Sequence, residues 1–254
     1  MIQLKTPTQI AIMQKGGKIL TDALKKVIAS VKIGVTLAQL DKLAEEEIKK
    51  AGATPSFRLV KGYKWSICSC VNEVVVHGIP DEYVISEGDI VGLDCGVYYQ
   101  GFHTDAAWTV EANGRQFNHQ TDEFLTAGKK ALFRAVCQMK PDNYIYDISL
   151  AIQDTIQKAG YSVVKTLVGH GIGRRLHEEP EVPCFIKEER QKTEKIVPGM
   201  VLAIEVIYNQ GNSQVVYRGD DDWTIITKDG KISGLFEATV AATRHGCLIL
   251  TSLD

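Results

Sequence analysis

No segment of this sequence joins a basic stretch to an apolar run and a small-residue cleavage site, and no apolar run reaches the ~18 residues that cross a bilayer. Those absences exclude a spanning helix and make a cytoplasmic location, away from membranes, the expectation. Its six cysteines contain no C-x-x-C pair, and Cys68 and Cys70 are too close for a zinc ribbon, so reduced thiols are expected rather than a disulfide frame. Charge of one sign is also missing. With 29 basic and 31 acidic residues the formal net charge is -2, which gives DNA no electrostatic reason to bind. There is no G-x-x-x-x-G-K-[ST] loop and no G-x-S-x-G elbow, which removes the commonest phosphate cradle and the strained serine nucleophile. A thiol nucleophile at Cys68 or Cys95 is the weaker remaining alternative.

What is present describes a globular protein. Hydrophobic residues make up 44% and charged residues 24% of 254 positions, enough for one large core or two fused halves. Thr6 with Pro7 and Gln9, and Thr36 with Gln39, read as capped helix starts, each followed by an apolar stripe; Gly52 ends the second helix. β-Favouring runs follow at "WSICSCVNEVVV", "DIVGLDCGVYY" and "AAWTVEA", with "YYQGFH" as a tight hairpin turn. The order then recurs: a helix near Thr121 to Met139, another near Asp147 to Ala159, and strands after Gly160. Three markers pair across the two parts: "IKKAG" with "IQKAG", "HGIP" with "HGIG", and "EGDIVGLD" with "PGMVLAIE", the last ending in Asp94 and Glu205. An internal duplication follows, giving an α+β protein whose sheets form the core with helices outside. The expectation is one domain over residues 1–254, with halves of about 1–115 and 116–254 joined through the polar stretch "VEANGRQFNHQTD".

The informative residues are acids in strands that otherwise read as buried. Asp94 follows an apolar run, Glu205 sits inside "VLAIEVIY", Asp105 follows the hairpin, and Glu237 interrupts "SGLFEATVAAT". A buried, unpaired carboxylate costs several kcal/mol, so each needs a cation, a proton or several donors. A salt bridge would serve for one acid. For four, only Arg174 and Arg175 lie near in sequence, and two arginines cannot neutralise four charges. A pair of divalent cations can, and oxygen ligands with one imidazole, His170, suit Mn, Fe, Co or Zn. His170 and His177 stand seven apart in "VGHGIGRRLHEEPEVP", but the glycines and Pro180 rule out a shared helix face, leaving a strand that ends at the glycines and a loop presenting the rings.

The blocks "NEVVVHGIP", "LDCGVYYQGFHTDAAWTV", "VGHGIGRRLHEEPEVPCF", "PGMVLAIEV" and "FEATVAAT" together resemble the type I methionine aminopeptidases in their bacterial form, in the family's order and over nearly the whole chain. The resemblance implies the pita-bread fold with two pseudo-symmetric halves, and metal-dependent removal of an initiator methionine from nascent proteins and peptides when the next residue is small, through a metal-bridging hydroxide. It implies two divalent ions held by Asp94, Asp105, His170, Glu205 and Glu237, with Asp105 and Glu237 bridging and Glu205 carrying a proton. His177 would hydrogen-bond the scissile amide and His77 would act from the opposite side. Tyr63, Cys68, Leu176 and Trp223 would form the methionine pocket, and Asn72, Val74 and Ser233 a monovalent-cation site. A monomer is implied, and a transient ribosome contact is left open. Relatives often carry an aromatic residue or methionine where Leu176 stands and a histidine where Ala238 stands. The rivals are a proline-specific peptidase of the same fold and a non-catalytic binding module, the second disfavoured because all five ligands are present.

Overall fold

Two threonines start the first helices for the same local reason. Each hydroxyl accepts the backbone N–H three residues on, and the glutamine there accepts the threonine's own N–H, at Thr6/Gln9 and Thr36/Gln39. α1 (Pro7–Ala29) and α2 (Leu37–Lys50) follow. The second pair, α3 (His119–Val136) and α4 (Ile145–Lys158), occupies the expected places within a turn, and Asp147 caps α4 by accepting the Tyr144 N–H at 2.8 Å. The structure, a computed structural model, describes residues 2–112, 119–219 and 221–253. Residues 113–118, the middle of the polar join between the halves, therefore lie outside the described residues.

The strands are β1 (Thr54–Pro55), β2 (Ile67–Val71), β3 (Val74–Val76), β4 (Ile90–Tyr99), β5 (Phe102–Glu111), β6 (Ser162–Val163), β7 (Val168–Gly171), β8 (Glu178–Pro183), β9 (Val201–Asn209), β10 (Val215–Tyr217), β11 (Ile225–Thr227), β12 (Ser233–Thr243) and β13 (Gly246–Ile249). β4 pairs with β5 along one edge and shares its other edge between β1 and β2. β9 does the same with β12 on one side and β6 and β7 on the other. Gly88 (φ +83°) and Gly199 (φ +95°) turn the chain into β4 and β9 in a conformation that disfavours a side chain, so the third sequence marker is a true structural repeat. The β4–β5 hairpin turns at Gln100 and Gly101, both at positive φ (48° and 88°), as a two-residue primed turn demands.

The other two markers fare differently. Both "KAG" segments end the second helix of their half. The His-Gly pair is not equivalent: His170 lies in β7 and opposes Ala203, two residues before Glu205, whereas Cys70 opposes Gly92, two residues before Asp94. By register the counterpart of His170 is Cys70. "WSICSCVNEVVV" also divides, because Asn72 adopts φ +54° and sends β2 and β3 into different sheets.

Strand alternation decides where the acids point. Leu93 and Cys95, on either side of Asp94, pack under α1 and α2 with Leu20, Leu24 and Leu40. Ile204 and Val206, flanking Glu205, pack under α3 and α4 with Phe124, Ile148 and Ile152. Each fully buried aliphatic side chain contributes roughly 1.5–3 kcal/mol, so the helix-side cores fix the register and turn both acids to the opposite face. The halves meet at β5 and β12 through two hydroxyls placed alike. Thr109 Oγ1 donates to Leu235 O (2.7 Å) and accepts Leu235 N–H (3.0 Å), while Thr239 Oγ1 donates to Asp105 O (2.8 Å) and accepts Asp105 N–H (2.9 Å).

Candidate metal centre

Four carboxylates reach one space by two registers. On the β4–β5 pair, Asp94 opposes Ala107 and Asp105 opposes Gly96, so these acids are two steps apart on one face. On β9–β12, Glu205 and Glu237 oppose each other directly. His170, opposite Ala203, shares the face of Glu205. The β5–β12 seam brings the faces together, and ligand atoms of Asp105, His170 and Glu237 all lie within 4.8 Å of one another. His170 Nε2 is 3.6 Å from Glu205 Oε1. Its Nδ1 lies 2.8 Å from the Gly171 carbonyl, which can only accept; Nδ1 therefore carries the hydrogen and Nε2 turns its lone pair towards the acids.

The electrostatics are those of a site built for cations. Asp105 is 4% and Glu237 3% exposed, and Asp94 Oδ1, Asp105 Oδ1 and Glu237 Oε1 are buried without a hydrogen-bond partner. Among the described residues no lysine or arginine forms an ion pair with any of the four acids. Arg174 lies over the Phe102 ring at 4.9 Å and Arg175 is exposed, so the salt-bridge explanation fails. Burial, the largest influence, pushes Asp94 up to about 7. Burial first, and then repulsion by neighbouring carboxylates, drives Asp105, Glu205 and Glu237 well above the ordinary range. Burial, helped by His177, takes His170 down to about 4, and burial also lowers His77 and His177. All three imidazoles are thus neutral near pH 7, the form that ligates metal. Four carboxylates converging with one such nitrogen, three of their oxygens otherwise orphaned, fit divalent ions of the Mn to Zn range.

Beside the acids lies a cavity of about 130 Å³ whose wall includes Phe57, Val60, Tyr63, Cys68, Leu176 and Trp223. Tyr63 holds this wall together: its hydroxyl donates to Ile67 O at 2.9 Å, and its ring meets Trp65 and Trp223 edge-on, each at 5.2 Å. His77 and His177 stand where this cavity joins a larger one of about 470 Å³. His77 is held at φ +56°, a strained backbone for a residue with a side chain, and the His177 ring stands edge-on to His170 at 4.4 Å. Every candidate ligand, histidine and pocket residue named from the sequence borders this one cavity.

The three candidates for a monovalent cation lie elsewhere. Asn72 O accepts the Ser233 N–H at 2.8 Å, and Val74 is two residues away in β3. Their side chains are already engaged, Asn72 with Asp89 and Ile90 N–H, and Ser233 with Tyr208 O and Asn209. Cys68 and Cys95 are buried thiols pushed well above their ordinary value, mainly by burial, and Cys95 faces the helix-side core; neither is an activated nucleophile.

Sequence reasoning missed several neighbours. Phe57 and Val60 lie in "PSFRLV", which carries no motif. His103 precedes Asp105 by two on the same face, a spacing that strand alternation could have flagged, and its Nδ1 lies 2.9 Å from Ser56 Oγ. Lys5, whose contacts reach the His177 loop, gives no local signal at all.

Comparison with known proteins agrees with this geometry. The profile of metallopeptidase family M24 matches residues 11–243. A methionine aminopeptidase of Clostridium perfringens (strain 13 / Type A) is 43% identical over 251 residues, covering 99% of each chain. Methionine aminopeptidase 1 of Bacillus subtilis (strain 168) is 39% identical, again over 99% of each. The crystal structure of a methionine aminopeptidase from Thermotoga maritima superposes with a TM-score of 0.94 at 37% identity, covering 99% of this chain and 100% of that one, so the architecture is the pita-bread fold. The chain belongs to metallopeptidase family M24, among its methionine aminopeptidases.

Proposed function

We propose that the whole chain acts as one catalytic domain, a monomer in the cytoplasm, that uses divalent metal to release methionine from the N-terminus of newly made proteins and peptides when the second residue is small. The observation that carries this reading is the set of orphaned, buried carboxylate oxygens around His170 Nε2, set against an apolar cavity sized for one side chain. Asp94, Asp105, His170, Glu205 and Glu237 would hold two divalent ions. Divalent ions held there supply Lewis acidity and an activated water nucleophile.

The chain's own residues do the rest. Tyr63, Cys68, Leu176 and Trp223 offer a largely apolar, polarisable wall suited to a flexible thioether. Neutral His177 presents a ring nitrogen to the scissile amide at the cavity mouth, and His77 meets the reacting centre from the other side. Glu205 holds a proton and passes it to the leaving nitrogen. Both histidines narrow the passage into the larger cavity, which favours a small residue after methionine. A monovalent cation near Asn72, Val74 and Ser233 would be held by main-chain carbonyls.

Cleavage of Met-Ala-Ser by the Mn- or Co-supplemented protein, with none after chelation and none of a Gly-Pro dipeptide under either condition, is the expected result. Gly-Pro cleavage would move the protein to the proline-specific peptidases, and no metal-dependent cleavage of either would leave a binding module.

A further inference from the structure

The loop that carries His177 is gripped from behind by the segment preceding α1. Lys5 Nζ lies 2.6 Å from Glu178 Oε2, and the two side chains are only 4% and 2% exposed, the most buried lysine–carboxylate pair among the described residues. The other Glu178 oxygen accepts the Arg175 N–H at 3.1 Å, which closes residues 175–178 into a turn with Leu176 and His177 inside it. Gly173 packs onto the same pair so tightly that a Cβ there would come 2.3 Å from Lys5 Cε and 3.0 Å from Glu178 Oε1. The Gly173 carbonyl accepts the His103 N–H at 2.7 Å, tying the turn to β5, and the Lys5 N–H donates to Gly199 O at 2.7 Å, tying the strap to the approach to β9.

An apolar pair of similar size would hold these segments together at least as firmly, because two buried charges must first be stripped of water. What the charged pair adds is direction: a carboxylate with one lysine and a backbone donor on its two oxygens has a single orientation, and the turn that carries His177 is built on it. We propose that Lys5 is a positioning residue for His177, acting through the Glu178 carboxylate. The inference rests on the methionine-releasing reaction proposed above.

The test uses the full chain loaded with Mn and compares the wild type with Lys5→Met, Lys5→Arg and the double variant Lys5→Met/Glu178→Leu. For each, kcat and KM on Met-Ala-Ser, the melting temperature and Mn affinity by titration calorimetry are measured. Displacing a catalytic group by about 1 Å lowers a rate by roughly 100-fold. Lys5→Met is therefore expected to lower kcat by about 10- to 100-fold with KM and Mn affinity changed less than about threefold, and Lys5→Arg to recover part of the loss. The double variant, which restores an apolar match, is expected to regain the melting temperature without regaining kcat, and it keeps the test informative if Lys5→Met alone folds poorly. Full recovery of kcat in the double variant, or a fall in Mn affinity in step with kcat, overturns the proposal. Failure of the wild type to cleave Met-Ala-Ser would instead overturn the function on which it rests.

Discussion

Replacing Asp94 by asparagine should stabilise the metal-free protein, and only at higher pH. In the folded chain burial places the Asp94 carboxyl at about 7, against an ordinary value of 3.8. A carboxyl whose folded value is raised favours folding while it is protonated; that contribution is complete below the unfolded value and is lost as pH rises through the folded one. The interval corresponds to roughly 4 kcal/mol, and allowing for the half-buried position of the side chain brings the expectation to about 2–4 kcal/mol. Urea unfolding of wild type and Asp94→Asn in EDTA, from pH 4 to 8, measures the loss of the Asp94 charge together with the repulsion it exerts on Asp105, Glu205 and Glu237, both of which act in the same direction. Groups with the opposite sign, such as Glu178 and Asp147, whose values are lowered, act equally in both proteins and cancel. The stability difference should open between about pH 4 and 7, in favour of the variant. Saturating Mn should reverse it, because only the wild type has the full ligand set and metal stabilises the state that binds it. A difference that stays flat across the range, or that favours the wild type in EDTA as pH rises, would refute the reasoning about a desolvated acid cluster.

Three further outcomes are expected. Glu205→Gln keeps the shape of the side chain but cannot carry a proton, and turnover of Met-Ala-Ser should become undetectable in a steady-state assay. His177→Ala should slow turnover by about 10²–10⁴-fold while leaving Mn uptake by calorimetry unchanged; an empty metal site in that variant would mean that the division of labour between His170 and His177 is wrong. Thr239→Val strips the Asp105 backbone of a hydroxyl that both donates to it and accepts from it, and should lower the urea-unfolding free energy by about 1–3 kcal/mol.

The parts legible in the sequence were those dictated by local chemistry. Capping boxes at Thr6 and Thr36 mark helix starts because only near neighbours are involved, and acids within apolar strands stand out because their burial is costly whatever surrounds them. The register that sets Asp94 and Asp105 two steps apart, yet Glu205 and Glu237 face to face, depends on pairing between distant strands, which no single segment encodes. The pairing of "HGIP" with "HGIG" was misleading for the same reason: similar letters fell at different positions around the pseudo-twofold, and Cys70 took the place opposite that of His170. Lys5 and Glu178 are 173 residues apart. Neither has a pattern around it that names the other, so their contact was legible only in three dimensions.

The most direct test of the account is anomalous diffraction from crystals of the protein supplied with Mn. Peaks enclosed by Asp94, Asp105, His170, Glu205 and Glu237 are expected. Fully Mn-exposed crystals with no anomalous peak among these side chains would contradict it.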